Sequence, residues 1–140
     1  MVRFLIILAA LAGMTVSALA LRVHYSTATE PCSINEKWDC GIVNHSPYSV
    51  IEDVPVAAIG IAGYLVLAVL ALARRRVFVT VLAMIGLGFS LHLSYIERNV
   101  LMVWCLYCVI SLGLILLVTL LSLGWVFLVP PDRQRAQSDD

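Results

Sequence analysis

Charged residues are missing from four long stretches of this chain: Phe4 to Leu21, Val54 to Ala73, Val77 to Ile96 and Val100 to Val129. A helix needs about 18–20 apolar residues to cross a hydrocarbon layer ~30 Å thick, and every stretch reaches that length. Lipid offers a backbone amide no partner, so a segment that enters it closes its own hydrogen bonds as a helix or joins a closed barrel. Runs this long and unbroken suit helices. The expected fold is an all-α membrane protein, a four-transmembrane-helix bundle with spans at about 4–24, 54–73, 77–96 and 100–129. Short connections leave no room for a second domain among 140 residues. Residues 1–130 therefore read as one transmembrane domain and 131–140 as a polar tail. With 61% hydrophobic and 13% charged residues, the composition falls outside the soluble range.

Orientation follows from the basic residues beside the spans. If the helices alternate, Arg3, Arg74, Arg75, Arg76, Arg133 and Arg135 share one side, and Arg22, Lys37 and Arg98 the other. That asymmetry places both termini in the cytoplasm of a cell (inner) membrane protein. The loop from Arg22 to Asp53 and the tip around Glu97 to Asn99 then face outward. The formal net charge of zero indicates no nucleic-acid partner. Arg3, the apolar run and Ala18-Leu19-Ala20 also resemble a cleavable leader. The run is longer than a usual leader core, and retention as a helix is the expectation.

The polar segment from Tyr25 to Asp53 holds Pro31, Gly41 and Pro47, which favour turns. Ile34, Trp38, Ile42, Val43, Tyr48, Val50 and Ile51 give it enough apolar surface to lie on the bundle as a lid. Gly60 and Gly63, with nearby alanines, suggest a small-residue face for close helix contact. Ser90, His92, Ser94 and Tyr95 are polar residues at membrane depth and are expected to face the bundle or a cavity.

Chemistry is concentrated in the cysteines: Cys32 and Cys40 in the polar loop, Cys105 and Cys108 at the start of the last apolar run. All four are expected at the extracytoplasmic face. On a helix, Cys105 and Cys108 share one side, and unpaired N–H groups with the positive end of the helix dipole favour a thiolate there. A Cys-x-x-Cys so placed points to disulfide exchange. Cys32 and Cys40 fit either a second redox pair or a static loop staple, since oxidising compartments favour both. Four thiolates can also hold zinc, but these spacings fit no common zinc module, and no metal is expected. Electrons that reach Cys105–Cys108 need an acceptor soluble in the bilayer. A quinone fits, because it takes two electrons and two protons, as dithiol oxidation supplies.

The order Cys32, Cys40, then Ser46, then Gly60-x-x-x-Tyr64, then Trp104-Cys105-Leu106-Tyr107-Cys108 resembles the vitamin K epoxide reductase family in its prokaryotic form, from Ala20 to Leu121. DsbB-type four-helix oxidases place their Cys-x-x-Cys first, so the order here argues against them. The resemblance implies a quinone-dependent thiol–disulfide oxidoreductase that supports disulfide formation in exported proteins. In it Cys105 and Cys108 form the active pair, with Cys108 nearer the quinone. Cys40 exchanges with Cys105, and Cys32 meets a separate thioredoxin-fold, DsbA-like partner. Val43, Asn44, Ser46, Ile59, Tyr64 and Leu101 are implied to line a site for a ubiquinone or a menaquinone/vitamin K type molecule. Two positions depart from the vertebrate pattern: Val56 stands for an Asn and Leu112 for a Tyr, both expected to hold the quinone head. His92, Ser94 and Asn44 are the candidate substitutes. The alternative is a non-enzymatic four-span structural or assembly protein with one static loop disulfide.

Overall fold

A computed structural model describes residues 1–25 and 36–130. Helix α1 covers Val2–Tyr25, and a five-residue helix α2 covers Cys40–Asn44. A 3-10 turn at Pro47–Ser49 leads into a small hairpin, β1 (Val50–Ile51) paired antiparallel with β2 (Val54–Pro55). Three more helices follow: α3 (Val56–Leu72), α4 (Arg76–Ile96) and α5 (Leu106–Leu128). A π turn at Glu97–Leu101 carries α4 one step further. Helices α1, α4 with its turn, and α5 are long and apolar enough to cross a membrane, while α3 is a shorter apolar helix. Leu8, Val69, Phe78, Ile85 and Leu120 stand exposed on the outside, as lipid-facing side chains do.

The hairpin reverses through Glu52 and Asp53, both in the left-handed region with φ of 48° and 68°. Two consecutive left-handed residues make the mirror-image turn that suits strand twist. Pro55 then precedes α3 without needing an N–H to donate. The span expected at 54–73 is thus shortened at its start, because Val54 and Pro55 belong to the hairpin.

Helices α1 and α3 approach through small residues. A Cβ on Gly60 would lie 2.9 Å from Ser17 Oγ. Gly63 has open space around it instead and lines a cavity. On the other side, Val79 and Ala83 of α4 meet Ile115 and Val118 of α5 in the same buried cluster as Ile6, Ala10 and Tyr64. Thr119 donates to its own helix at Ile115 O (2.7 Å) and lies 3.3 Å from Ala83 O across the interface. Arg76 donates to Val129 O at 3.0 Å, tying the start of α4 to the end of α5. Ile6 and Ala10 have no exposed surface, so α1 is part of the packed core.

The largest departure from expectation lies between α4 and α5. The fourth span does not begin at Val100. Residues 97–101 form the π turn, Met102 takes a left-handed conformation (φ 55°), and α5 starts at Leu106. The Met102 N–H closes on Glu97 O, and Val103 N–H bonds the same carbonyl at 3.2 Å. A turn and a short loop therefore occupy the first residues of what is one uncharged run from Val100 in the sequence. The polar tail expected at 131–140 lies outside the described residues.

Candidate redox site

Cys105 sits at the N-cap of α5 rather than inside a helix. Its sulfur accepts the Cys108 backbone N–H at 3.4 Å, satisfying one of the amides that a helix start leaves unpaired. The Cys105 N–H in turn donates to Glu97 Oε2 at 3.2 Å. Both thiols are free, and the Cys108 thiol lies beside the Cys105 sulfur and the Glu97 carboxylate. Cys105 has no exposed surface; it packs in a small cluster with Val23, Val43 and Val103.

The loop reaches this point by a backbone bridge. Trp104 N–H donates to Lys37 O at 2.7 Å, and Asp39 N–H donates to Trp104 O at 3.0 Å, a parallel pairing of Trp38 with Trp104. Their rings lie 6.3 Å apart and tilted by 31°. Such an aromatic pair adds about 0.5–1.5 kcal/mol beyond its buried area. Two residues past Trp38 comes Cys40, which opens α2, and one residue past Trp104 comes Cys105, which caps α5. Asp39 Oδ1 accepts from Gly41 N–H (2.8 Å) and Ile42 N–H (3.2 Å), capping α2 immediately after the bridge.

Helix α2 then delivers Asn44 into the interior. Its Nδ2 donates to Cys105 Sγ at 3.5 Å, and its carbonyl is held by Ser49 Oγ (2.7 Å) and His24 Nδ1 (2.5 Å). The Cys108 thiol is the main group holding the Cys105 thiol below its usual ionisation range, with the Cys108 N–H and the Asn44 amide adding to it. Burial and the Glu97 carboxylate oppose the shift. A lowered value means that the thiolate persists to lower pH than in an ordinary cysteine. Asn44→Ala removes one donor to the thiolate, so Cys105 is expected to ionise at higher pH than in the wild type. The ultraviolet absorbance of the thiolate against pH, with Cys105→Ser as the blank, measures this shift.

Beside Cys108 lies a cavity of about 420 Å³ between the loop, α1, α3, α4 and the start of α5. All six residues singled out as pocket lining, Val43, Asn44, Ser46, Ile59, Tyr64 and Leu101, border it. So do Val56 and Ser94, while Leu112 packs against the core cluster. His92 does not: it is exposed on the outside of α4. The helix period explains the split, since Ser90, Ser94 and Glu97 follow one face and His92 and Tyr95 another. Tyr64 Oη donates to Ser111 O at 2.9 Å and lies 2.9 Å from Ser111 Oγ, placing a second hydroxyl on the cavity wall. Ser46 Oγ donates to Val43 O at 2.7 Å and keeps only acceptor capacity.

Two residues with a place here were missed in the sequence. Ser111 lies one helical turn after Cys108. Glu97 was assigned to an outward tip, yet it is 3% exposed and turned onto both cysteines. A lone acid ending a long uncharged run, eight positions before Cys105, was the available signal. Cys32 lies outside the described residues. Cys40 is placed by its backbone alone, as the first residue of α2. No cluster of three or more metal-binding side chains occurs among the described residues.

The sequence matches the Vitamin K epoxide reductase family over residues 4–123. No individual curated protein matches it.

Proposed function

The chain belongs to the vitamin K epoxide reductase family, and from that premise we propose that it passes electrons from a thiol protein to a membrane quinone. Family membership makes a thiol oxidoreductase of it, in a family that is quinone-linked in general and works with thiol–disulfide partner proteins. The direction, the residues and the quinone are the proposed part. The observation that carries the reading is the Cys105–Cys108 dithiol set between a cysteine-bearing loop and a largely apolar cavity.

The chemistry runs in three exchanges. A thioredoxin-fold dithiol outside the membrane reduces the Cys32–Cys40 disulfide and leaves as a disulfide itself. The Cys40 thiolate then attacks Cys105 of the Cys105–Cys108 disulfide, and Cys108 departs as a thiolate. Cys32 attacks Cys40 to re-form the loop disulfide and frees Cys105. Each exchange needs the attacking and attacked sulfurs in line, and the Trp38–Trp104 bridge brings the two backbones together two residues before Cys40 and one before Cys105. Oxidation of the Cys105–Cys108 dithiol back to a disulfide gives two electrons and two protons to a quinone in the cavity. Val43, Asn44, Ser46, Ile59, Tyr64 and Leu101 surround that quinone in this reading.

The orientation proposed keeps the arginine-rich end in the cytoplasm and the loop outside, in the cell membrane. The test is to trap the intermediates. Cys32→Ala removes the resolving thiol, so a Cys40–Cys105 cross-link is expected to accumulate, seen by non-reducing peptide mapping. A variant retaining Cys32 and lacking Cys40 is expected to capture the soluble partner as a mixed disulfide. If Cys32 and Cys40 stay bonded to each other throughout turnover, the relay is wrong and the loop disulfide is a staple.

A further inference from the structure

Glu97 is the buried acid that the relay leaves without a task. The residue is 3% exposed and borders the cavity, and its carboxylate accepts the Cys105 N–H at 3.2 Å and lies beside the Cys108 thiol. Arg98, the next residue, is exposed. Among the described residues, the titratable groups beside the carboxylate are the Cys105 and Cys108 thiols, and Asn44, facing Cys105 from α2, is neutral. A buried carboxylate is costly unless it is well hydrogen-bonded or has work that needs it. As a helix-capping acceptor alone, Glu97 would need no negative charge, because an amide oxygen accepts an N–H equally well.

We propose that Glu97 is the proton carrier between the Cys105–Cys108 dithiol and the quinone. The inference rests on the quinone reading above. In the first half, the Cys108 thiol proton moves to Glu97 as the Cys108 sulfur forms a bond to a ring carbon. The electron pair released onto the ring makes one quinone oxygen anionic, and Glu97 hands its proton to that oxygen. In the second half, Glu97 takes the Cys105 thiol proton as the Cys105 sulfur attacks Cys108 Sγ. The sulfur–sulfur bond forms, the carbon–sulfur bond breaks, and its electron pair stays on the ring. Glu97 then protonates the second oxygen. The products are a disulfide and a hydroquinone, and the carboxylate ends ionised as it began.

The π turn is what makes this reach available. Glu97 is the first residue of that turn, and its carboxylate meets the Cys105 N–H that follows the turn.

Glu97→Gln tests the assignment, because the amide still accepts the Cys105 N–H but takes no proton. With dithiothreitol-reduced protein and a soluble quinone, oxidation of Cys105–Cys108 is expected to slow by about 100-fold, the low end for loss of a general acid–base group. In the same variant the Cys105 thiolate, followed by ultraviolet absorbance without quinone, is expected to form at lower pH, since a neighbouring negative charge is gone. A more easily ionised thiol that nevertheless reduces quinone more slowly is the signature of a lost proton carrier. Glu97→Asp keeps an ionisable group and is expected to recover part of the rate. A Gln variant with the wild-type rate overturns the proposal, as does a slow Gln variant whose Cys105 titration is unmoved or raised, which marks a displaced site. If the wild type itself transfers no electrons to quinone, the functional reading fails first and the carrier falls with it.

Discussion

Cys105→Ser is expected to lower quinone-dependent oxidation of a thioredoxin-fold dithiol by roughly 1,000-fold or more, the scale on which losing a nucleophile acts. On the relay proposed above, the variant removes the one sulfur that both receives electrons from the loop and closes the disulfide with Cys108. Serine keeps an N-cap acceptor for the Cys108 N–H, and serine is a good cap, so α5 is expected to start where it does now. A melting temperature close to the wild type, with activity gone, separates chemistry from folding. Retained function in this variant would instead support the structural reading with a static loop disulfide.

The second large effect concerns packing at Gly13. A Cβ there would lie 2.4 Å from Tyr64 Cε1 and Cζ, far inside contact distance. Tyr64 is a stiff ring, 5% exposed, with its hydroxyl bonded to Ser111, so it has little freedom to yield. Gly13→Ala gains about 1 kcal/mol of helix propensity but overpacks the α1–α3 contact, a change that typically costs ~1–3 kcal/mol and more where the obstacle is rigid. The net expectation is a clear fall in thermal stability together with reduced quinone reduction, because displacing Tyr64 deforms the cavity wall. Adding Tyr64→Ala to Gly13→Ala is expected to relieve the collision, so the two changes should be strongly non-additive in detergent melts. Additive losses would show that α1 and α3 do not meet as described.

The bundle was legible because charge exclusion is a strong signal and lipid permits few answers to it. The six residues that the family resemblance implied as lining all border one cavity. Boundaries were harder. Val100 to Val129 contains no charge, so nothing in composition marks the end of one helix and the start of the next. The break is tertiary: Glu97 O gathers the Met102 and Val103 amides, and Lys37 O takes the Trp104 amide from a loop far away in sequence. Glu97 was not singled out for a related reason, since charges near span ends are ordinarily solvated and its partners lie across the turn. His92 was over-read because polarity at membrane depth suggests an inward face, whereas the helical phase turns it outward.

The sealing of Cys105 has a consequence for the cell's wider thiol traffic. A sulfur with no solvent-accessible surface, roofed by Val43 and Asn44 and flanked by Trp104, is closed to freely diffusing small thiols and peroxides. The relay proposed above would bring its reductant in on the protein's own loop. On that relay this is insulation: a membrane oxidant would be kept from draining bulk thiols indiscriminately, and substrate choice would be made at the loop, upstream of the chemistry.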